Sequence, residues 1–187
     1  MKFFYALIGV IALTASPVMA ADNGSFMISP RVGRTTITID RDMLASNERV
    51  DVDTLTTGIA LGYVAPFNLL VEGGYTSQGN WTWFGTEDKY RLSEYNIVLG
   101  YQINTPHDFV ITPRVGRARW DLYSRDVALT HPADPLDPQR ERGYDNFWEI
   151  SLQKKVGRSA ALGISYRDNS YGFGNVKSIV FLASIKM

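Results

Sequence analysis

Apolar and polar side chains alternate along much of the chain. The segment "TLTTGIALGYVA", from Thr54 to Ala65, places Leu, Ile or Tyr at nearly every second position, with Thr, Gly and Ala between them. The segment "SEYNIVLGYQI", from Ser93 to Ile103, has the same period, and residues 178–187 repeat it less regularly. A period of two residues is typical of β-strands whose two faces contact different surroundings.

Turn-forming residues divide the chain into predicted strands, and the connections between the strands are alternately long and short. An alternation of this kind puts all long loops at one end of an antiparallel, up-and-down meander and all short turns at the other. An even number of strands then leaves both chain ends on the short-turn side. The pattern predicts eight strands, at 26–39, 54–65, 69–78, 90–103, 109–123, 144–156, 160–170 and 176–187.

The residue types on the two faces indicate which face points outward. One face is rich in Leu, Ile, Val and Tyr, whereas the other combines glycines and small polar residues with a few charges. A soluble lipocalin-type barrel would have an apolar interior and a polar exterior. A small membrane barrel has the reverse, with aromatic girdles at both interfaces and longer external loops. Both the alternation and the loop lengths favour the membrane barrel. The aromatic residues near predicted strand ends are Tyr63, Tyr75, Trp81, Trp83, Tyr90, Tyr101, Trp120, Tyr123, Tyr144 and Trp148.

The first residues have the pattern of a secretory signal. Lys2 precedes an apolar run from Phe3 to Leu13, and small residues follow at the cleavage position near Ala20. The apolar run is too short to span about 30 Å of hydrocarbon at about 1.5 Å per residue. We therefore expect a signal peptide over 1–20 and one barrel domain over 21–187.

Composition narrows the possible partners. The 187-residue chain has no cysteine, and its 19 basic residues balance its 19 acidic ones. Because a charge excess that would attract nucleic acid is lacking, we expect no nucleic-acid partner. We expect a monomer without a cofactor. Asp51, Asp53 and Glu48 are loop acids without an EF-hand glycine pattern, so we predict no metal site.

These features resemble those of the OmpA/OmpX-type small outer-membrane barrels, over the whole mature chain. The resemblance depends on the signal, on "GYVAPFNLLVEGGY" (Gly62 to Tyr75) as a strand-turn-strand unit, and on the alternating final strand. It implies an all-β, eight-stranded transmembrane barrel in the Gram-negative outer membrane, inserted by the barrel assembly machinery. Such barrels commonly end on an aromatic residue, whereas this chain ends on Met187. Phe181 is predicted to lie on the same face of the final strand as Met187.

Charged residues occur at positions whose parity predicts that they point into the lumen. Burial of an isolated charge is very costly, so we expect these side chains to pair across the interior. An eight-stranded barrel leaves an interior just wide enough for side chains. The favoured interpretation is a structural plug, and the alternative is a narrow ion or small-solute channel. The predicted network consists of Arg31, Glu72, Glu94, Arg114, Glu149 and Arg167.

Catalysis is not predicted, although some barrels of this size modify lipid A. A serine-hydrolase mechanism needs a histidine base beside a serine near the external rim. His107 lies in a short turn, and His131 lies in a proline-rich loop. The segment "GISYRDNSYG", which contains Ser165, Asp168 and Ser170, has no histidine. A lipid A-modifying enzyme therefore remains the least favoured alternative.

Arginines cluster near the external strand ends. Guanidinium groups suit phosphates, and lipopolysaccharide phosphates lie at this height in an outer membrane. Arg34, Arg117 and Arg119 are the predicted lipopolysaccharide contacts. The alternative is that these arginines form a solvated rim. The expected role is structural or recognition at the cell surface, with outer-membrane lipid and lipopolysaccharide as partners.

The sequence Pro-Arg-Val-Gly-Arg occurs twice, at 30–34 and at 113–117. The two copies fall in the first and the fifth predicted strands, which face each other in a closed ring of eight. Proline cannot donate to a β-ladder, so each copy predicts a bulge or a missing bond. A bulge would turn Arg34 and Arg117 from the outer face toward the lumen.

Overall fold

The computed structural model describes residues 24–44, 49–79, 90–125, 128–129, 136–137 and 139–187. The predicted signal peptide, Trp81, Trp83, Glu48 and His131 lie outside these ranges. Eight long strands account for most of the described residues, and the fourth is continued after Gln102 by Ile103–Asn104. The strands are β1 (Ser25–Ile39), β2 (Val50–Val64), β3 (Leu69–Gly79), β4 (Tyr90–Tyr101), β5 (Phe109–Ser124), β6 (Arg140–Val156), β7 (Ala160–Tyr171) and β8 (Gly174–Lys186).

Each strand pairs antiparallel with its neighbours in sequence, and β1 pairs with β8 to close the ring. The predicted fold class, an eight-stranded antiparallel up-and-down barrel, is confirmed. Closure satisfies the backbone donors and acceptors that an open sheet would expose to lipid. Within the described ranges, no helix is both long and apolar enough to cross a bilayer.

Two strands begin four residues earlier than the apolar pattern predicts, at Val50 and at Arg140. These extensions carry polar side chains outward, so they lack the alternation that identifies the rest of each strand. Cross-strand pairs hold them: Asp53 of β2 accepts from Arg34 of β1, and Arg142 of β6 donates to Asp121 of β5. The strands therefore continue beyond the apolar band, where charged pairs replace lipid contact.

The outer face is apolar. Ile97 is 70% exposed, Phe26 is 64% exposed and Phe181 is 63% exposed. The inward positions hold small, polar or charged side chains, as the membrane interpretation requires. Two of the predicted girdle aromatics are exceptions, since Tyr90 and Trp120 are buried inside the barrel. Their parity places them inward, and the Trp120 indole donates to Asp145 at 2.8 Å.

The lumen is layered along the barrel axis. Met27, Val64 and Leu70 form a small buried cluster near the short turns. A larger apolar cluster fills the external half and includes Phe173 and residues from two long loops. Met43 ends a 3-10 turn in the first long loop, and Leu44 of that loop forms an isolated antiparallel bridge with Leu129 of the third long loop. Apolar side chains thus close both ends of the polar middle layer.

Neither copy of the repeated pentapeptide forms a bulge. On the β8 side, the pairing of β1 omits Ser29 and Pro30 and then resumes in the same register at Arg31. Opposite Pro113, the pairing of β4 with β5 is interrupted after Gly100 and resumes at Ile103, again in register. Each proline therefore removes pairing without changing parity, so Arg34 and Arg117 remain on the outer face.

Candidate functional sites in the lumen and on the external rim

The six residues predicted to form the lumen network lie on six different strands and converge in the middle layer. Each has at most 6% of its surface exposed. All six residues occupy inward-facing positions of their strands. No bulge shifts the alternation of side chains in the ladders that contain them. Pairing across the lumen links residues that are distant in sequence.

Glu149 of β6 is the centre of this network. Its Oε1 accepts from Arg114 Nη1 at 2.8 Å, and its Oε2 accepts from Arg167 Nη2 at 3.2 Å. Arg31 Nη1 lies 3.3 Å from the same Oε2. One carboxylate therefore contacts guanidinium groups from three strands, which ties opposite walls of the barrel together.

Two further carboxylates complete the charge balance. Arg31 also donates to Glu72 through Nη2. Arg167 Nη1 donates to Glu94 Oε2 at 2.9 Å, and the hydroxyl of Thr76 donates to the same oxygen at 3.1 Å. Three arginines and three glutamates give the network no net charge. Charge-assisted bonds of this kind offset part of the cost of removing the groups from water.

Two other lumen residues support the network and were not predicted from the sequence. The guanidinium carbon of Arg167 lies 3.9 Å from the ring centroid of Phe147, a cation–π contact. The Tyr171 hydroxyl accepts from Arg167 Nη1 at 3.5 Å. Inward parity alone identifies Phe147 and Tyr171 as lumen residues, but their contact with Arg167 depends on the register between strands.

Little space remains beside the network. A cavity of about 10 Å³ lies among Arg31, Glu149, Arg167 and neighbouring small polar residues. A volume of this size accommodates about one water molecule. The charged layer lies between the two apolar clusters, and the channel alternative is not favoured.

The predicted lipopolysaccharide contacts lie on opposite walls. Arg34 of β1 is exposed and pairs with Asp53 at 2.6 Å. Arg117 and Arg119 are exposed on β5, and the Arg117 guanidinium lies 5.7 Å from the Tyr144 ring centroid. Because β1 and β5 are four strands apart in a ring of eight, Arg34 cannot contact the same phosphate as the other two.

The serines considered for catalysis have other partners or surroundings. Ser165 is buried in the lumen, and Ser170 donates to the Asn175 side chain at 2.6 Å. Asp168 accepts from the Tyr166 hydroxyl at 3.0 Å. Among the residues that the structure describes, no group of acids and histidines could hold a metal ion.

The closed ring, its apolar outer face and its paired interior charges define the protein as an integral β-barrel of the outer membrane. Its fold is that of the small eight-stranded OmpA/OmpX-type barrels, which confirms the architecture implied by the sequence resemblance.

Two solved structures illustrate the likeness. The first is Neisserial surface protein A, with 11% identity, a TM-score of 0.61, and coverage of 89% of this chain and 100% of that one. The second is the attachment invasion locus protein Ail of Yersinia pestis, in complex with the heparin analogue sucrose octasulfate. It has 12% identity, a TM-score of 0.55, and coverage of 88% and 99%. No family model matches the sequence. No curated protein matches it. At these identities, the likeness concerns the fold.

Proposed function

We propose that this protein is a non-enzymatic barrel with a structural or surface-recognition role, whose interior is plugged by paired charges. The observation that carries the proposal is the six-residue network centred on Glu149, with a residual cavity of about 10 Å³. An ion crossing this layer would have to separate buried, mutually bonded charges, which is costly. A structural plug uses the same contacts to hold the barrel walls in register.

Conductance in planar bilayers tests the plug against the channel alternative. We expect the purified protein to give no stable current steps, because the charged layer is closed and apolar clusters lie on both sides of it. A large porin reconstituted in the same bilayers is the positive control. Reproducible steps of uniform size from this protein would contradict the plug and support a narrow channel.

The proposal also excludes modification of lipid A. Ser165 faces the lumen, and the described rim offers no histidine beside a serine. We expect mass spectra of lipid A to show the same acyl pattern with and without expression of the protein. A new acyl form that disappears on Ser165→Ala or Ser170→Ala would support the enzyme alternative instead.

Recognition at the rim is the second part of the proposal. Arg34 on one wall and Arg117 with Arg119 on the other lie where lipopolysaccharide phosphates would meet the barrel, and would contact different lipid molecules. Asp53 already offsets the charge of Arg34, so Arg117 and Arg119 should contribute more than Arg34 to the binding of lipopolysaccharide. We expect added lipopolysaccharide to raise the unfolding temperature of the wild-type barrel, because ligands that bind the folded state stabilise it.

A further inference from the structure

The outer faces of β4, β5 and β6 carry a concentrated group of arginines at their external ends. Cross-strand register arranges this group in rows. Arg119 lies between Tyr95 and Tyr144, and Asp121 lies between Ser93 and Arg142. We call the whole set the arginine face. It consists of Arg91, Arg117, Arg119, Arg140 and Arg142, with Asp121 among them.

This wall differs in charge from the wall formed by β1 and β2. Among the described residues, the arginine face contains five arginines and one aspartate, a formal excess of four positive charges. On that wall, Arg34 of β1 pairs with Asp53 of β2, and Arg49, just before β2, lies 3.8 Å from Asp51, so that those charges cancel. The excess of positive charge is therefore local, although the whole chain has a formal net charge of zero.

Asp121 holds two of the arginines in place. Arg140 Nε lies 3.1 Å from Asp121 Oδ1, and Arg142 Nε lies 2.9 Å from Asp121 Oδ2. In both pairs the guanidinium nitrogen nearest to Asp121 is Nε rather than one of the two terminal nitrogens. Arg119 has no ion pair among the described residues, and its charge is unopposed in its row. One acid thus orders part of the face without neutralising it.

The height of the face on the barrel indicates its surroundings. Its lowest row pairs Arg117 with the lipid-facing Ile97, and the next row places Arg119 between two exposed tyrosines. Tyrosines at this level mark the membrane–water interface. The top row consists of Arg91 and Arg140 on either side of Tyr123, so from Arg117 to this row the face extends about 20 Å along β5, at about 3.3 Å per residue. Groups bound here would lie at headgroup height.

We propose that the arginine face binds the phosphorylated headgroup of lipopolysaccharide, with Arg119 and Arg142 as the principal phosphate contacts. This inference rests on the rim contact proposed above and localises it to one wall. Phosphate oxygens match the fork of donors on a guanidinium group. The face is long enough for more than one phosphate of the same headgroup, and the flanking Tyr95 and Tyr144 would pack against the boundary between the sugars and the acyl chains.

The test is a titration of the purified full chain, in neutral-detergent micelles, with bisphosphorylated lipid A. The half-saturating mole fraction is read from the rise in unfolding temperature. Dephosphorylated lipid A and inorganic phosphate are separate arms, which distinguish a lipid-borne phosphate from a free one. The variants are R119A/R142A and the charge-conserving R119K/R142K. The control is R49A/K177A, which removes two exposed, ion-paired cations elsewhere on the barrel.

We expect R119A/R142A to weaken binding of bisphosphorylated lipid A by at least about tenfold, since charge-assisted bonds at two sites are lost. R119K/R142K should lose most of the same affinity, because lysine lacks the fork. R49A/K177A should bind within about threefold of wild type, because Arg49 and Lys177 lie outside the arginine face and each is paired with its own acid, whereas Arg142 shares Asp121 with Arg140. Dephosphorylated lipid A and inorganic phosphate should bind much more weakly.

The possible contrary results are distinct. If wild type binds lipid A and R119A/R142A binds equally well, the contact lies elsewhere and only the assignment to the arginine face is overturned. If R119K/R142K retains wild-type affinity, diffuse attraction explains the binding and a built phosphate site is refuted. If wild type does not bind lipid A, the proposed rim contact fails together with this inference. Heat-modifiable migration of every variant confirms that the barrel has folded.

Discussion

The variant Glu149→Gln is expected to destabilise the folded barrel by about 3–5 kcal/mol, the range found when one partner of a buried ion pair is removed. Glu149 accepts from Arg114, Arg167 and Arg31, and all three guanidinium groups are buried. Glutamine has nearly the same shape but no negative charge. The substitution therefore leaves three buried cations facing one another, with only Glu72 and Glu94 to balance them.

The free energy of unfolding in urea, measured in micelles, checks this expectation. Heat-modifiable migration on gels gives an independent measure of the folded fraction. Asp53→Asn is the matched control, since it also neutralises one arginine-paired acid but lies on the exposed rim. Exposed pairs contribute about 0–1 kcal/mol, so the control should change stability little.

A double substitution separates charge imbalance from loss of shape. In Glu149→Gln combined with Arg114→Gln, the network again has equal numbers of positive and negative groups. We expect the double variant to be more stable than Glu149→Gln alone, which gives a favourable coupling energy between the two positions. If Glu149→Gln were as stable as Asp53→Asn, the network would not hold the barrel together and the structural-plug proposal would lose its basis.

The variant Gly163→Ala is expected to cost at least about 2 kcal/mol or to prevent folding, for a steric reason. A Cβ atom at this position would lie 2.0 Å from the carbonyl oxygen of Leu152 and 2.6 Å from the Cα of Gln153. Both atoms belong to the backbone of β6, so rotation of a side chain cannot relieve the overlap. The β6–β7 ladder would have to move apart.

Gly73→Ala provides a matched comparison on the lipid-facing side of β3. The nearest atom to a Cβ atom there is the carbonyl oxygen of Asn96, at 4.0 Å, which is an ordinary contact. We expect this variant to fold with wild-type yield and nearly unchanged stability. Refolding yield and the midpoint of urea unfolding compare the two variants directly. Equal refolding yields and equal unfolding midpoints for Gly163→Ala and Gly73→Ala would show that the close approach of β6 and β7 does not require glycine at position 163.

Several structural features could be predicted from the sequence because they depend on local periodicity. Alternation placed Leu61 outward and Glu72 inward, and the lengths of the connections predicted the meander. The starts of β2 and β6 were missed because Val50 and Arg140 begin polar extensions above the apolar band. Aromatic identity suggested that Trp120 belonged to the girdle, whereas its inward parity was the better guide.

The candidate sites were only partly predictable. Parity identifies Arg31 and Glu149 as inward residues, but it does not show that Glu149 contacts three arginines. That arrangement depends on which strands face each other and on the shear of the ring. The arginine face likewise combines Arg119 and Arg142, which are 23 positions apart (142 minus 119), through the β5–β6 register.

The sequence by itself determined the strand period, the apolar outer face, the even strand number and the set of inward charges. These properties follow from the side-chain alternation of a β-strand and from the length of each connection. Only the tertiary structure decided that both proline-bearing repeats keep the register, that Glu149 unites the lumen charges and that five arginines share one wall. The physical reason is that closure of the ring fixes the pairing between strands, and this pairing determines which distant side chains meet.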